Sequence, residues 1–355
     1  MISRISELLD KSSGLKAKEI ANRLQCERKE VNAILHGNKS TFRKDNEHQW
    51  FLSSAREQVL SFPPNWIAAD DFEDALLTID SPLDSGDIPL RVVIPDGCNL
   101  LLEASVRLLA LCNQLADAGV PVEIDLRNNN KTRSYLSRVG FLDFLSSKVA
   151  VLPERPATSG ATTYKGNNRG LYEFESIDPL APNSQIPKRL MECFVANSDE
   201  RYAQNAFTFI AELFGNVRGH SKTRIPGFAG LQRYRGRSRQ LQTVISDNGI
   251  GIIGSLGPVL AVNHPDLAEK FDLSEMDDQA RLIVHVFTKG QVSSINEKGR
   301  GLGLKTTKDV AESLKADLSI RQERFSVTLS FRNGVLRKKT RKNLPLIRGT
   351  HICFN

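Results

Sequence analysis

The stretch Leu241-Gln-Thr-Val-Ile-Ser-Asp247-Asn-Gly-Ile-Gly251-Ile decides how the second half of this chain is read. Leu241 to Ser246 alternates in the period-two pattern of a strand. Asp247, Gly249 and Gly251 follow at alternate positions, giving D-x-G-x-G directly at the strand end. A carboxylate placed there accepts a hydrogen bond from an exocyclic amine such as that of adenine. The glycines let backbone pass close to a flat base without a Cβ in the way. The same letters also fit a plain strand terminus, so the surrounding sequence has to decide.

Upstream lies Phe207-Thr-Phe-Ile-Ala-Glu-Leu-Phe-Gly-Asn-Val-Arg-Gly-His-Ser221. On a helix Glu212, Asn216 and His220 are each four apart, drift by only about 40° per step and share one face. The amide oxygen of Asn216 is a hard, neutral ligand suited to a Mg²⁺ that already carries phosphate oxygens. Glu212, one turn earlier, is placed to orient or deprotonate a water aimed at a terminal phosphate. Alone, this triplet equally describes a solvated helix face. Downstream, Lys298-Gly-Arg-Gly-Leu-Gly-Leu304 carries three alternating glycines into the helical run Lys305 to Leu314. Such a loop frees backbone amides to wrap anionic oxygens, and the helix N-terminus adds partial positive charge. Gly349-Thr350 opens the last strand pattern, with a hydroxyl placed to reach a base directly or through water.

The order and spacing of these four pieces resemble the N, G1, G2 and final-strand boxes of the GHKL superfamily, the gyrase, heat-shock chaperone, histidine kinase and MutL-type ATPases. The resemblance covers residues 185–355. It implies ATP and Mg²⁺ as cofactors, with Asn216 on the metal and Asp247 on adenine. Gly249, Gly251 and Thr350 would lie beside the base, and His220 on the nucleotide-facing helix. Gly299, Arg300, Gly301, Leu302 and Gly303 would contact phosphate. Glu212 is the candidate general base. Residues 252–298 would form the lid, a segment that varies widely across the superfamily. The implied fold is a Bergerat-type ATP-binding α/β sandwich, α+β in class. It would comprise a mixed sheet with helices on one face, built from strands near residues 227–233, 241–245, 316–320, 326–331 and 350–354.

Residues 156–184 are rich in Ser, Thr, Gly, Asn and Pro and read as a connection with one edge strand at Gly170 to Phe174. Residues 55–155 read as a small α/β domain. Strands are expected at Leu90 to Ile94 and Val120 to Leu126, with an apolar helix at Leu100 to Ala118 between them. Lys131 to Leu145 is expected to be helical, with a break at Gly140. Tyr135-Leu-Ser-Arg-Val-Gly-Phe-Leu142 and its surroundings resemble STAS-like domains, the class that includes anti-sigma-factor antagonists. Residues 1–54 show helical spacing at Ile2, Ile5, Leu8 and Leu9, and again from Leu15 to Leu24. A third helix from Glu27 to His36 buries Val31, Ile34 and Leu35, and two short strands flank Asp45-Asn46. That order, with Lys18-Glu-Ile-Ala-Asn-Arg-Leu24 and Lys29-Glu-Val-Asn-Ala-Ile-Leu35, resembles a winged helix-turn-helix. Arg28, Lys29, Asn32, Lys39, Arg43 and Lys44 would then lie on the recognition helix and wing, where DNA is reached. A protein-docking role for the same module stays open, since Glu19, Glu27 and Glu30 dilute the positive field.

Composition narrows the classes. The chain has 355 residues, 40% hydrophobic and 25% charged, with a formal net charge of +7. This is an ordinary globular balance that permits a polyanionic partner without requiring one. No apolar run reaches the roughly 18 to 20 residues of a membrane span, and the amphipathic N-terminus does not read as a signal peptide, so a cytoplasmic location and no membrane partner are expected. Cys26, Cys98, Cys112, Cys193 and Cys353 form no CxxC pair, which argues against zinc or a disulfide framework. Three functions follow. The first expectation is a Mg-ATP-dependent ATPase coupled to duplex DNA or a partner protein, with a homodimer as one possible assembly. Alternatively the chain is a Ser/Thr or His kinase of the anti-sigma type acting on a STAS-like partner, or a non-catalytic nucleotide sensor. The basic runs Arg233 to Arg239 and Arg337 to Lys342 are expected between strands. A transducer segment after the last strand is not expected, so output is expected through the preceding domains or a partner.

Overall fold

The computed structural model describes the chain apart from residues 13, 39–40, 45–47, 53–56, 182, 221–222, 236–239, 290–310, 314–315 and 333–334; for 218–220 it describes the backbone alone. Two compact units result, Met1–Glu57 and Gln58–Asn355.

The first unit runs α1 (Ile2–Lys11), β1 (Leu15–Lys16), α2 (Ala17–Leu24), α3 (Arg28–Gly37), β2 (Phe42–Lys44) and β3 (Gln49–Leu52). The helical spacing places Ile5, Leu9, Ile20, Val31 and Leu35 in one core with Phe42 and Trp50. The helix expected from Leu15 starts instead at Ala17. Leu15 and Lys16 form a short strand paired antiparallel with β3, giving the sheet order β1-β3-β2. Lys16 closes the helix start by donating its N–H to Glu19 at 2.7 Å.

The second unit begins with a parallel layer. It comprises β4 (Gln58–Ser61), β5 (Trp66–Ile67), α4 (Ala69–Leu76), β6 (Leu90–Val93), β7 (Asn99–Leu100), α5 (Leu102–Asp117), β8 (Val122–Asp125), α6 (Asn130–Arg138), α7 (Phe141–Phe144) and β9 (Ala150–Leu152). Strands β4, β6, β8 and β9 pair in parallel in that order, and β5 pairs with β7. The break expected at Gly140 is present, at φ +86°. It separates α6 from α7. After α8 (Gly160–Thr163) the chain enters an antiparallel half, with β10 (Leu171–Ile177), α9 (Ile186–Asn197), α10 (Ala203–His220), β11 (Gly227–Tyr234) and β12 (Gln240–Ser246). It continues through α11 (Gly251–Asn263), α12 (Pro265–Lys270), α13 (Met276–Lys289), β13 (Asp317–Gln322), β14 (Phe325–Arg332), β15 (Val335–Arg341) and β16 (Thr350–Phe354).

The chain is thus mixed in class, with parallel and antiparallel sheets in one unit. Seven strands in the order β10-β11-β12-β16-β13-β14-β15 form the large sheet, and every pairing in it is antiparallel. This corrects the expected mixed sheet. The expected one-sided helical cover is corrected as well. One face carries α9, α10, α11 and α13 through Ile245, Ile320, Ile352 and Phe354. The other face, through Phe228, Val244 and Cys353, packs on α5 and the parallel layer. Leu102 to Ala116 of α5 is buried throughout, because a helix between two sheets has no solvent face. Covered on both sides, β16 is buried at all five positions.

The basic run Arg337 to Lys342 lies largely within the edge strand β15 rather than between strands. Several of its charges are used internally, with Lys339 and Arg341 on Asp70, Arg341 on Asp74 and Lys342 on Asp277. Lysines and arginines on an exposed edge also discourage strand addition by other chains. Among the described residues no helix is long and apolar enough to cross a membrane.

Candidate functional site

The D-N-G turn sits where the middle of the large sheet opens. Past Ser246 the β12–β16 ladder continues for one more rung, the Asp247 N–H donating to Thr350 O at 2.8 Å. The two chains are so close here that a Cβ on Gly349 would lie 2.0 Å from Asp247 O and 3.0 Å from Asn248 Cα, and Gly349 has φ +93°. Only glycine fits. Of the pair Gly349-Thr350, the hydroxyl was expected to matter, and the glycine is what permits the approach.

Asp247 is 7% exposed. Its Oδ1 accepts from the Gly249 N–H at 3.0 Å. Burial nevertheless dominates and pushes the carboxyl up to about 7, against the smaller opposing effect of the backbone N–H groups of Gly249 and Asn248. A carboxyl so poorly solvated has a strong demand for a donor. Thr350 is equally buried, and its Oγ1 accepts from Gln322 Nε2 at 2.5 Å and from the Ile252 N–H at 3.2 Å. These contacts leave the hydroxyl proton for another acceptor. Gln322 ties the site together, its Nε2 also donating to Gly349 O at 2.8 Å and its Oε1 accepting from Ile253 N at 3.1 Å. A Cβ on Gly251, at φ +67°, would meet that amide at 2.6 Å. The second glycine of the motif therefore makes room for Gln322.

Helix α10 reaches the same end of the sheet. Val217 Cγ1 lies 2.8 Å, and Ser246 O 2.3 Å, from where a Cβ on Gly227 would stand. The bare Gly227 lets the turn that carries Asn216 close onto the β11–β12 pair just before Asp247. Leu213, Phe214 and Val217 are buried in the core, while Glu212 and Asn216 are half-buried on the remaining face. His220 belongs to α10, with its side chain outside the described residues. Gly299, Arg300, Gly301, Leu302 and Gly303 also lie outside them.

Two neighbours that look chemical are structural. Ser246 and His351 approach to 2.7 Å at Nδ1, and His351 Nε2 lies 3.1 Å from Arg348 O. A carbonyl only accepts, so Nε2 carries the proton and Nδ1 accepts from the serine hydroxyl. Burial holds the imidazole down at about 3, so it stays neutral, and with Ser246 and His351 at 0% and 2% exposure no substrate reaches the pair. A separate cavity of about 280 Å³ is lined by Trp66, Tyr135, Arg138, Gln232 and Tyr234 and holds none of the expected site residues. Arg138 there is paired with Glu173. Its charge is not free for a phosphate.

In the first unit Arg28 and Lys29 are exposed at the start of α3, Asn32 is half-buried, and Arg43 and Lys44 are exposed on β2. The Arg43 guanidinium lies 4.8 Å from the Phe51 ring centroid and Lys44 Nζ 5.9 Å from that of Trp50. Lys39 lies outside the described residues. Compared with known proteins, the chain matches no family model, no curated protein and no solved structure.

Proposed function

We propose that the second unit binds Mg-ATP at the end of β12 and β16 and hydrolyses it, in the manner of the GHKL ATPases that its sequence resembles. The observation that carries this reading is Asp247: a carboxyl 7% exposed, raised to about 7, and held at the mouth of a turn whose close approach needs Gly349. Among the described residues no cation pairs with it, and a carboxyl kept this dry is costly unless a ligand supplies the donor, as the amine of adenine would. ATP and Mg²⁺ would supply the reactive phosphoanhydride and the charge that neutralises it. The fit of this chain is in its own groups. Asp247 accepts from the base, the Thr350 hydroxyl donates, Asn216 offers a neutral oxygen to the metal, and Glu212 lies one helical turn before Asn216 to take a proton from water. Among the described residues no cluster of three His, Cys, Asp or Glu side chains forms a metal site. A phosphate-borne Mg²⁺ held through an amide requires none.

The first unit is read as a duplex-DNA contact, supported by the exposed Arg28 and Lys29 on α3 and by Arg43 and Lys44 on the neighbouring strand. Nucleotide state would then regulate DNA or a partner protein.

Incubating the full chain with ATP labelled at the γ-phosphate tests the chemistry. Free phosphate is expected, falling roughly 10²- to 10⁴-fold in Glu212→Gln while ATP still binds, because the amide cannot take a proton. Label appearing on protein instead of in solution would replace hydrolysis with kinase activity. Retention of intact ATP would leave a sensor.

A further inference from the structure

Helix α5, contributed by the parallel layer, carries one buried amide that does not belong to that layer's own core. Gln114 is 3% exposed. Its Nε2 donates to Asn248 Oδ1 at 2.8 Å and to Arg348 O at 3.0 Å, and its Oε1 accepts from Arg348 N at 2.9 Å. Exchanging both bonds with the Arg348 backbone, the side chain acts as an extra rung beside the strand that leads into Gly349. Asn248 is pinned at its other end too, with Nδ2 donating to Pro226 O at 2.7 Å. The residues fixed in this way, Asn248 and Arg348, directly follow Asp247 and directly precede Gly349. The clamp comes from the face of the sheet opposite α10, since α5 packs with Val244 and Cys353 whereas α10 packs with Ile245 and Ile352.

We propose that Gln114 is a positioning residue for the base-reading turn, so that selectivity for adenine depends on a helix supplied by residues 55–155. The inference rests on the reading of Asp247 as the group that accepts from the base. Selectivity of that kind needs the carboxylate held still, because a mobile one follows either base at little cost. A buried amide with three satisfied bonds fixes its partners. An apolar side chain of similar volume fills the space without fixing them.

Comparing ATP with inosine triphosphate tests this, since inosine has a carbonyl where adenine has its amine. Wild-type full-length chain is expected to bind ATP at least about tenfold more tightly than inosine triphosphate. In Gln114→Met, similar in volume but without the hydrogen bonds, ATP affinity is expected to fall to that of inosine triphosphate while the latter stays unchanged. Asn248→Ala removes the contact from the turn side with α5 intact, provides the second variant if Gln114→Met fails to fold, and should do the same. Combining the two should cost no more than either alone. A folded variant that keeps the wild-type ratio, or weakens both nucleotides equally, makes Gln114 a packing residue and overturns the proposal. Wild-type chain that binds neither nucleotide, or both alike, removes the Asp247 reading itself.

Discussion

At the scale of single residues, the behaviour of Asp247 follows from its dryness. In the folded chain without ligand its carboxyl is raised to about 7 from the ordinary 3.8, so the folded state keeps a proton that the unfolded state releases. The contribution of this group to stability is therefore present below pH 3.8 and lost as pH rises toward 7. Nucleotide binding should run the other way, because the ionised carboxylate is the stronger acceptor for the adenine amine. Below about pH 7 the affinity for ATP is expected to weaken by up to about tenfold per pH unit, approaching a plateau above it. Asp247→Asn should flatten that slope. Calorimetry from pH 5.5 to 8.5 checks it, and a wild-type affinity that stays level over this range removes the carboxylate from base recognition. The motif letters made Asp247 legible in the sequence. Gly349 was legible beside Thr350, but Gln114 and Gln322 were not, because each is a single residue distant in sequence, brought to the turn by the packing of α5 on the sheet and by the pairing of β13 with β16.

Many elements with one face on a core were legible, though β4 and α4, which buries Phe72 and Leu76, were not. The helices α3, α5 and α10, and the strands β11, β12, β14 and β16, match the expected spans to within a few residues because burial imposed a period on them. Strand β15 shows the converse. Exposed or half-buried along its whole length, it has no apolar alternation and reads as a basic run. Two-residue β1 is too short to carry a pattern, so it merges into the helix that follows. The pairing sense of the large sheet likewise has no signature within a strand. Helix α3 divides its residues between core and solvent. Val31 and Leu35 hold it to its core at 0% exposure, whereas Arg28 and Lys29 are exposed, and among the described residues neither has an ion-pair partner. Reversing both to Glu should leave the unit folded and weaken duplex-DNA binding by at least about tenfold, with a shallower dependence on salt between about 50 and 200 mM. Fluorescence anisotropy measures both. Equal, negligible binding by wild type and variant at low salt would remove DNA as the partner of this unit.

Across the second unit, the antiparallel sheet and the parallel layer are fastened by a buried group of four charges. Glu73 on α4 accepts from Arg107 at 2.7 Å and from Arg321 on β13 at 2.9 Å, and Glu103 accepts from Arg107 at 2.5 Å and from the Ser319 hydroxyl at 2.6 Å. Two carboxylates and two guanidiniums balance, which is what allows them to be buried together. Glu73→Gln would leave both arginines with Glu103 as the only carboxylate in the group. A loss of about 3 to 5 kcal/mol is expected in denaturant unfolding of the full chain. A loss below about 1 kcal/mol would mean that water reaches the network. Arg321 immediately precedes Gln322, the amide that holds Thr350, so the same fastening stands directly behind the proposed base site. Calorimetric titration of Mg-ATP into the full chain at pH 8 probes that site itself. Wild-type chain is expected to bind, with Asp247→Ala and Asn216→Ala each weakening binding by at least about a hundredfold while keeping the wild-type fold by circular dichroism. Wild-type affinity in both folded variants, or no binding by the wild-type chain, would mean that this turn does not hold the nucleotide.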